Sequence, residues 1–286
     1  MSLVPEHVDI VAYHGSCPDG WCAAFIAKKK YPNAELVPVS YGEPVDLARF
    51  GGQHVLVVDF SWPRSVTEAI RVAAKSLTIY DHHKTAQKEL EGLDYAVFDM
   101  NRSGAGITWD MLNGSLSRPW YVRYVEDRDL WNWKLNSSRE ISGYLMALPM
   151  TIEAWDKLAF ISPKQAVVAG EAIRLHIEHY VEGVVKNRVV SRFLNYTIAL
   201  VNAPYLNISD VCEKLLDYAD IGAGWFQRTD GLIQFSLRSR GDLDVSAIAK
   251  DFGGGGHKNA AGFQLPTREG RELIDSLMPH EATQSV

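Results

Sequence analysis

The sequence predicts an α/β protein in two parts: an N-terminal doubly wound parallel-sheet domain and a smaller C-terminal mixed α/β domain, joined by a long helix. Three observations carry this expectation. In the first half, short apolar, β-branched runs alternate with amphipathic stretches of helical period, the signature of βαβ units. One amphipathic stretch then runs from Pro163 to Val190. After it, strand-like runs resume and lead into four consecutive glycines. A length of 286 residues leaves room for two ordinary domains, which we place at 1–162 and 191–286, with 163–190 as the connecting helix. The composition, 47% hydrophobic and 22% charged, is that of a globular protein and excludes a disordered or fibrous chain.

Strands are predicted at Val8 to His14, Glu35 to Tyr41, His54 to Asp59, Ser76 to Asp81 and Tyr95 to Met100, each rich in β-branched or aromatic residues. Gly20 to Tyr31, Arg64 to Lys75, Gly104 to Asn113 and Arg118 to Asp127 read as helices. Strands and helices at this spacing give a parallel sheet covered on both faces. The connector starts behind Ser162-Pro163, good helix-start chemistry, and carries Ala166, Ile173, Ile177, Tyr180 and Val184 along one stripe. In the second block, Tyr196 to Asn202, Ile221 to Gln227 and Leu232 to Arg238 read as strands, and Val211 to Ala219 and Asp244 to Phe252 as helices. The tail after Pro279 reads as frayed.

The net charge of −6 gives no global attraction for a long polyanion, which argues against wrapping of duplex nucleic acid and leaves small anionic ligands open. No apolar run approaches the ~18 residues of a membrane-spanning helix, and the first residues lack the cationic and apolar regions of a signal peptide. Three cysteines, Cys17, Cys22 and Cys212, fit a reducing compartment better than a disulfide framework. The expected location is therefore the cytoplasm.

Acids and histidines collect at strand ends. The first strand runs into His14-Gly15-Ser16-Cys17-Pro18-Asp19, the third ends at Asp59, and the fourth at Asp81-His82-His83. In an open parallel sheet, ligands bind beyond the carboxyl ends of the strands, so these side chains would converge there. Each alone has a plainer reading: Asp59 as a turn residue, Asp19 as a helix cap, His82-His83 as a surface pair. Together they make a carboxylate and imidazole set suited to manganese, magnesium, iron or zinc. Lys28-Lys29-Lys30 reads as a solvated helix end, and His176 and His179 as a solvated helix face. Gly253 to Gly256, followed by His257 and Lys258, would bring bare backbone amides close to a phosphate-like anion.

These residues resemble the motifs of the DHH phosphoesterase superfamily, in the group with a DHH-associated C-terminal domain. Asp81-His82-His83 corresponds to the naming motif, His14 to Asp19 to the first motif, Asp59 to the second, and Asp127 to the fourth. Gly253 to His257 with Ala260-Ala261-Gly262 resembles the glycine signature of the C-terminal domain, and Arg238-Ser239 the arginine step that accompanies it. The resemblance implies two divalent metal ions, manganese foremost and zinc, iron or magnesium as alternatives. Asp19, Asp59, His82 and Asp127 would hold one metal, and Asp59 would bridge to a second held by His14. Asp81 would orient a ligand imidazole and His83 would face the scissile phosphate. Arg238, Ser239, Gly254, Gly255, Gly256 and His257 would grip the far phosphate. In the first motif Cys17 stands where the family commonly has an aspartate, which would make the second site softer.

The expected activity is that of a nanoRNase-like phosphodiesterase on short oligoribonucleotides, acting in a cleft between the two domains. Cyclic or bisphosphorylated nucleotides and polyphosphate are alternative substrates. A nucleotide-binding protein with weakened chemistry is the alternative of another class. Expected partners are short RNA or a nucleotide phosphate, with no membrane, no long duplex, and homodimerisation left open.

Overall fold

A computed structural model of the chain describes residues 3–15 and 17–278. Ser16 and the tail from Pro279 onward lie outside the described residues. The chain divides into two units, residues 1–174 and 175–286, so the division falls inside the long helix rather than on either side of it.

The first unit is built on a five-stranded, wholly parallel sheet. Its strands are β1 (Ile10–His14), β2 (Glu35–Val39), β3 (His54–Val58), β4 (Ser76–Asp81) and β5 (Ala96–Phe98), in the order β2-β1-β3-β4-β5. The apolar runs are nearly continuous because the central strands are buried on both faces. Successive residues feed opposite sides: Val11, Tyr13, Leu56 and Val58 pack into one apolar cluster, and Ile10, Ala12, Val55 and Val57 into the other.

The first cluster is closed by α1 (Pro18–Lys30), α4 (Gly104–Asn113), α5 (Trp120–Asp129), α6 (Ser138–Ala147) and α7 (Ile152–Asp156). The second is closed by α2 (Arg64–Ala73) and by Leu90, which caps α3 (Lys84–Glu89), together with Phe50 and Trp62. Helix α1 is buried all round from Asp19 to Ala27, which explains its Ala- and aromatic-rich sequence. Pro18 opens it, and Lys28, Lys29 and Lys30 complement its negative end.

Strand order reverses between β2-β1 and β3-β4-β5, so β1 and β3, although adjacent, send their chains to opposite sides. The crevice beyond their carboxyl ends is the natural ligand position of such a sheet.

Helix α8 (Pro163–Val185) ends five residues before the predicted Val190. The β-branched Val189 and Val190 instead open β6 (Val189–Phe193). The second unit is a six-stranded sheet in the order β10-β11-β9-β8-β7-β6, formed with β7 (Tyr196–Asn202), β8 (Ile221–Gln227), β9 (Leu232–Arg238), β10 (Gly255–His257) and β11 (Ala260–Pro266). Only β7 and β8 pair in parallel. Helix α9 (Ile208–Leu215) packs on one apolar cluster of this unit, while α10 (Val245–Asp251) and α11 (Thr267–Leu277) pack on the other. Among the described residues, no helix is long and apolar enough to cross a membrane.

Candidate metal centre

The crevice beyond β1, β3 and β4 holds five of the residues expected there, namely His14, Cys17, Asp19, Asp59 and His82, with Asp81 and His83 beside them. His14 ends β1, Asp59 follows β3, and Asp81 ends β4. Cys17 and Asp19 arrive at the start of α1. Asp59 has left-handed backbone, φ 55°, a conformation an aspartate tolerates better than a β-branched residue. Two glycines make room for it. A Cβ on Gly104 would lie 2.4 Å from the Asp59 Cβ, and one on Gly20 would lie 2.4 Å from the His14 carbonyl oxygen.

Carboxylates crowd one imidazole. His82 Nε2 lies 3.2 Å from Asp59 Oδ1, 3.4 Å from Asp129 Oδ2 and 3.9 Å from Asp19 Oδ2. His14 Nδ1 faces Asp59 Oδ2 at 3.6 Å. Burial pushes the Asp19 carboxyl well above its ordinary range, and the Asp129 and Asp59 carboxylates add to it. Asp129 is also raised, by burial first. Burial acts on Asp59 in the same sense, but His14 and His82 outweigh it and hold Asp59 low. His82 is raised well above its ordinary value: burial opposes its charge, and Asp129, Asp59 and Asp19 prevail.

Asp19 Oδ2, both Asp59 oxygens, Asp129 Oδ2 and His14 Nδ1 are buried and make no hydrogen bond. Buried carboxylate oxygens without donors are costly, and a divalent cation satisfies them. The residues present therefore fit a metal, and their oxygen and nitrogen donors suit manganese, magnesium, iron or zinc.

Asp81 differs, because its oxygens are already used. Oδ2 accepts from Ser61 Oγ at 2.6 Å, and Oδ1 accepts from the His82 amide at 2.7 Å and lies 2.7 Å from His83 Nδ1. It therefore orients the imidazole of His83. Burial favours the neutral acid, but the charge and hydrogen bond of His83 hold Asp81 below its ordinary value. His83 is correspondingly raised, with burial opposing and Asp81 prevailing.

One expected ligand is corrected. Asp127 lies outside the cluster: Oδ1 accepts from the Lys134 amide at 3.0 Å, and Oδ2 accepts from the Leu135 amide at 3.2 Å and from Ser138 Oγ at 2.5 Å. It ties the loop after α5 to the start of α6. Asp129, the last residue of α5, takes the place in the centre. Asp127 is the more buried of the two, so neither burial nor residue type separates them; the turn after α5 does. Sequence reasoning also missed Tyr41, which follows β2. Its ring centroid stands 5.6 Å from that of His14 and 6.0 Å from that of His83, with 42% of the residue exposed.

In the second unit the glycine run is only partly a loop. Gly255, Gly256 and His257 form the edge strand β10, paired antiparallel with β11. Gly253 (φ 77°) and Gly256 (φ 138°) need glycine for their backbone, and a Cβ on Gly254 would lie 2.1 Å from the Gly262 carbonyl oxygen. Arg238 ends β9 and donates to Ser209 Oγ at 2.7 Å and to the Leu237 carbonyl at 2.9 Å. Ser239 is not available to a ligand. It is buried, donates to the Leu243 carbonyl at 2.7 Å, and accepts from Asn259 Nδ2 at 3.0 Å.

Fold and centre together define a two-unit α/β protein with carboxylates and imidazoles clustered, as candidate metal ligands, at the switch point of a parallel sheet. Comparison with known proteins agrees. Residues 194–278 match the DHHA1 domain. The chain is 29% identical over 289 residues to an uncharacterized protein of Acanthamoeba polyphaga mimivirus, covering 90% of this chain and 68% of that one. Its fold is similar to that of the DHH domain of a member of the s1p family of ribosomal proteins, with a TM-score of 0.61 at 13% identity, covering 96% of this chain and 86% of that one. It is also similar to RecJ from Thermus thermophilus in complex with Mn2+, with a TM-score of 0.52 at 14% identity, covering 96% of this chain and 52% of RecJ. Residues 194–278 thus carry the DHHA1 match, and the fold of the chain is similar to that of solved DHH-domain and RecJ structures.

Proposed function

We propose that this protein is a divalent-cation-dependent phosphodiesterase that hydrolyses short oligoribonucleotides to mononucleotides. The observation that carries the proposal is the convergence of Asp19, Asp59 and Asp129 on His82 with buried oxygens that no hydrogen bond satisfies. The RecJ fold, solved with manganese, supports it. Asp19, Asp59, His82 and Asp129 would hold one cation, and Asp59 would bridge to a second beside His14. Cations bound there would supply Lewis acidity and lower the pKa of a bound water.

The chain's own side chains do the rest. Asp81 fixes the ring of His83 through Nδ1 and favours its protonated form, so His83 is the proton donor toward the phosphate. Arg238, Gly255, Gly256 and His257 supply the second unit's phosphate-binding surface along the edge strand, whereas the Gly254 amide donates to the Ala249 carbonyl at 2.8 Å and shapes the run. The net charge of −6 favours a short substrate over a long polyanion. Tyr41, half exposed beside His14 and His83, offers a face on which a nucleobase can stack and favours a nucleotide over polyphosphate.

The test is a panel of 5'-phosphorylated RNA dinucleotide, cyclic dinucleotide, bisphosphorylated nucleotide and polyphosphate with manganese, the products resolved by chromatography. Mononucleotides from the RNA dinucleotide are expected, and Tyr41→Leu should raise KM for that substrate more than it lowers kcat. Cleavage of polyphosphate alone, or no cleavage with manganese, zinc or iron(II), would overturn the proposal.

A further inference from the structure

We propose that the centre consists of two unlike cation sites sharing Asp59, the second ligated by the Cys17 thiolate and selective for a borderline-soft ion such as zinc or iron(II). This inference rests on the cation centre proposed above and concerns which ions fill it.

The ligand atoms fall into separate groups. Those of His14, Cys17 and Asp59 lie within 4.8 Å of one another, and so do those of Asp19, His82 and Asp129. The second group offers only carboxylate and imidazole donors. The first adds sulfur, which shifts preference from manganese and magnesium toward zinc and iron(II). Asp59 is 1% exposed, His14 and Cys17 are half-buried, and the Asp59 oxygens and His14 Nδ1 make no hydrogen bond.

Cys17 is the N-cap of α1 and makes no side-chain capping bond. Burial, and then the Asp59, Asp129 and Asp19 carboxylates, push its thiol well above the ordinary range, so thiolate forms only where a cation offsets those carboxylates. On binding, the S–H bond breaks, a sulfur–metal bond forms, and the proton passes to solvent. Cys22, five residues on, is 0% exposed within an apolar cluster and provides an internal contrast.

Cobalt(II), a spectroscopic substitute for zinc, is titrated anaerobically into the metal-free full chain while absorption is followed. A thiolate-to-cobalt charge-transfer band that saturates at one equivalent and is displaced by zinc is expected. Cys17→Ser should abolish the band and weaken zinc binding at least about tenfold, the scale on which changes around a metal alter its affinity. Cys22→Ser should retain the band. If Cys17→Ser does not fold, Cys17→Asp supplies a carboxylate in its place, and it should lose the band while binding manganese more tightly. Cobalt binding to the wild type without the band, or a band that survives replacement of Cys17, overturns the inference. Dinucleotide hydrolysis without the band defeats the inference alone, whereas the band without hydrolysis defeats the phosphodiesterase reading alone.

Discussion

Asp127 and Asp129 stand two residues apart on one helix and are expected to fail in opposite ways. Asp127→Ala removes three hydrogen bonds to a buried carboxylate, from the Lys134 and Leu135 amides and from Ser138 Oγ. At the lower end for a charged acceptor, about 1.5 kcal/mol each, the sum is about 4.5 kcal/mol. Water can reach part of the freed loop, because Lys134 is exposed, so a loss of roughly 3 kcal/mol is expected. For a unit of 174 residues this lowers Tm by about 6–12 °C.

Asp129→Asn, by contrast, removes one of three carboxylates crowded without donors, so the metal-free protein should keep its Tm or gain a little. Its manganese affinity should fall at least about tenfold. Thermal melting followed by circular dichroism, paired with manganese titration calorimetry on both variants, reads both effects. If Asp127→Ala melts like the wild type yet loses manganese, while Asp129→Asn binds it normally, the assignment of the two residues is reversed and the reasoning fails.

Two further outcomes are expected. Gly104→Ala puts a Cβ 2.4 Å from that of Asp59, so it should weaken manganese binding and slow turnover together, and unchanged binding would show that Asp59 tolerates displacement. Asp9 is held below its ordinary value, first by the His54 amide it accepts at 2.8 Å and then by His7. Its folded value is the lower one, so its contribution is present above about pH 4, the unfolded value, and is lost as pH falls through the folded value. Asp9→Asn should therefore reduce stability at pH 7 and flatten the acid limb of the stability curve. An acid limb as steep as the wild type's would contradict this.

Much of the centre was legible because strands of a parallel sheet buried on both faces read as unbroken apolar runs. The polar residue that ends the run then marks the strand's carboxyl end, and His14, Asp59 and Asp81 were each visible in this way. Asp127 and Asp129 could not be separated by residue type. Their roles depend on the turn after α5, where Trp131 and Trp133 both adopt left-handed backbone and bring the Lys134 and Leu135 amides onto Asp127.

Helix α6 escaped notice because the Ser137 that precedes it is left-handed and makes no capping hydrogen bond. Helix α11 was masked by Gly270, a poor helix former that is needed here because a Cβ would press on Ile233 at 2.9 Å. The glycine run suggested a loop, yet pairing across Gly255↔Gly262 and Gly256↔Ala261 turns half of it into an edge strand, an arrangement set by β11 and not by local propensity.

The central claim is that the strand-tip carboxylates hold the cations that hydrolyse a phosphodiester. The most direct measurement is mononucleotide release from a 5'-phosphorylated RNA dinucleotide, using metal-stripped protein with and without added manganese, in the wild type and in Asp59→Ala. The account predicts turnover only in manganese-loaded wild type, with the Asp59→Ala variant folded and inactive. Turnover in the stripped protein, or undiminished turnover in Asp59→Ala, would contradict it.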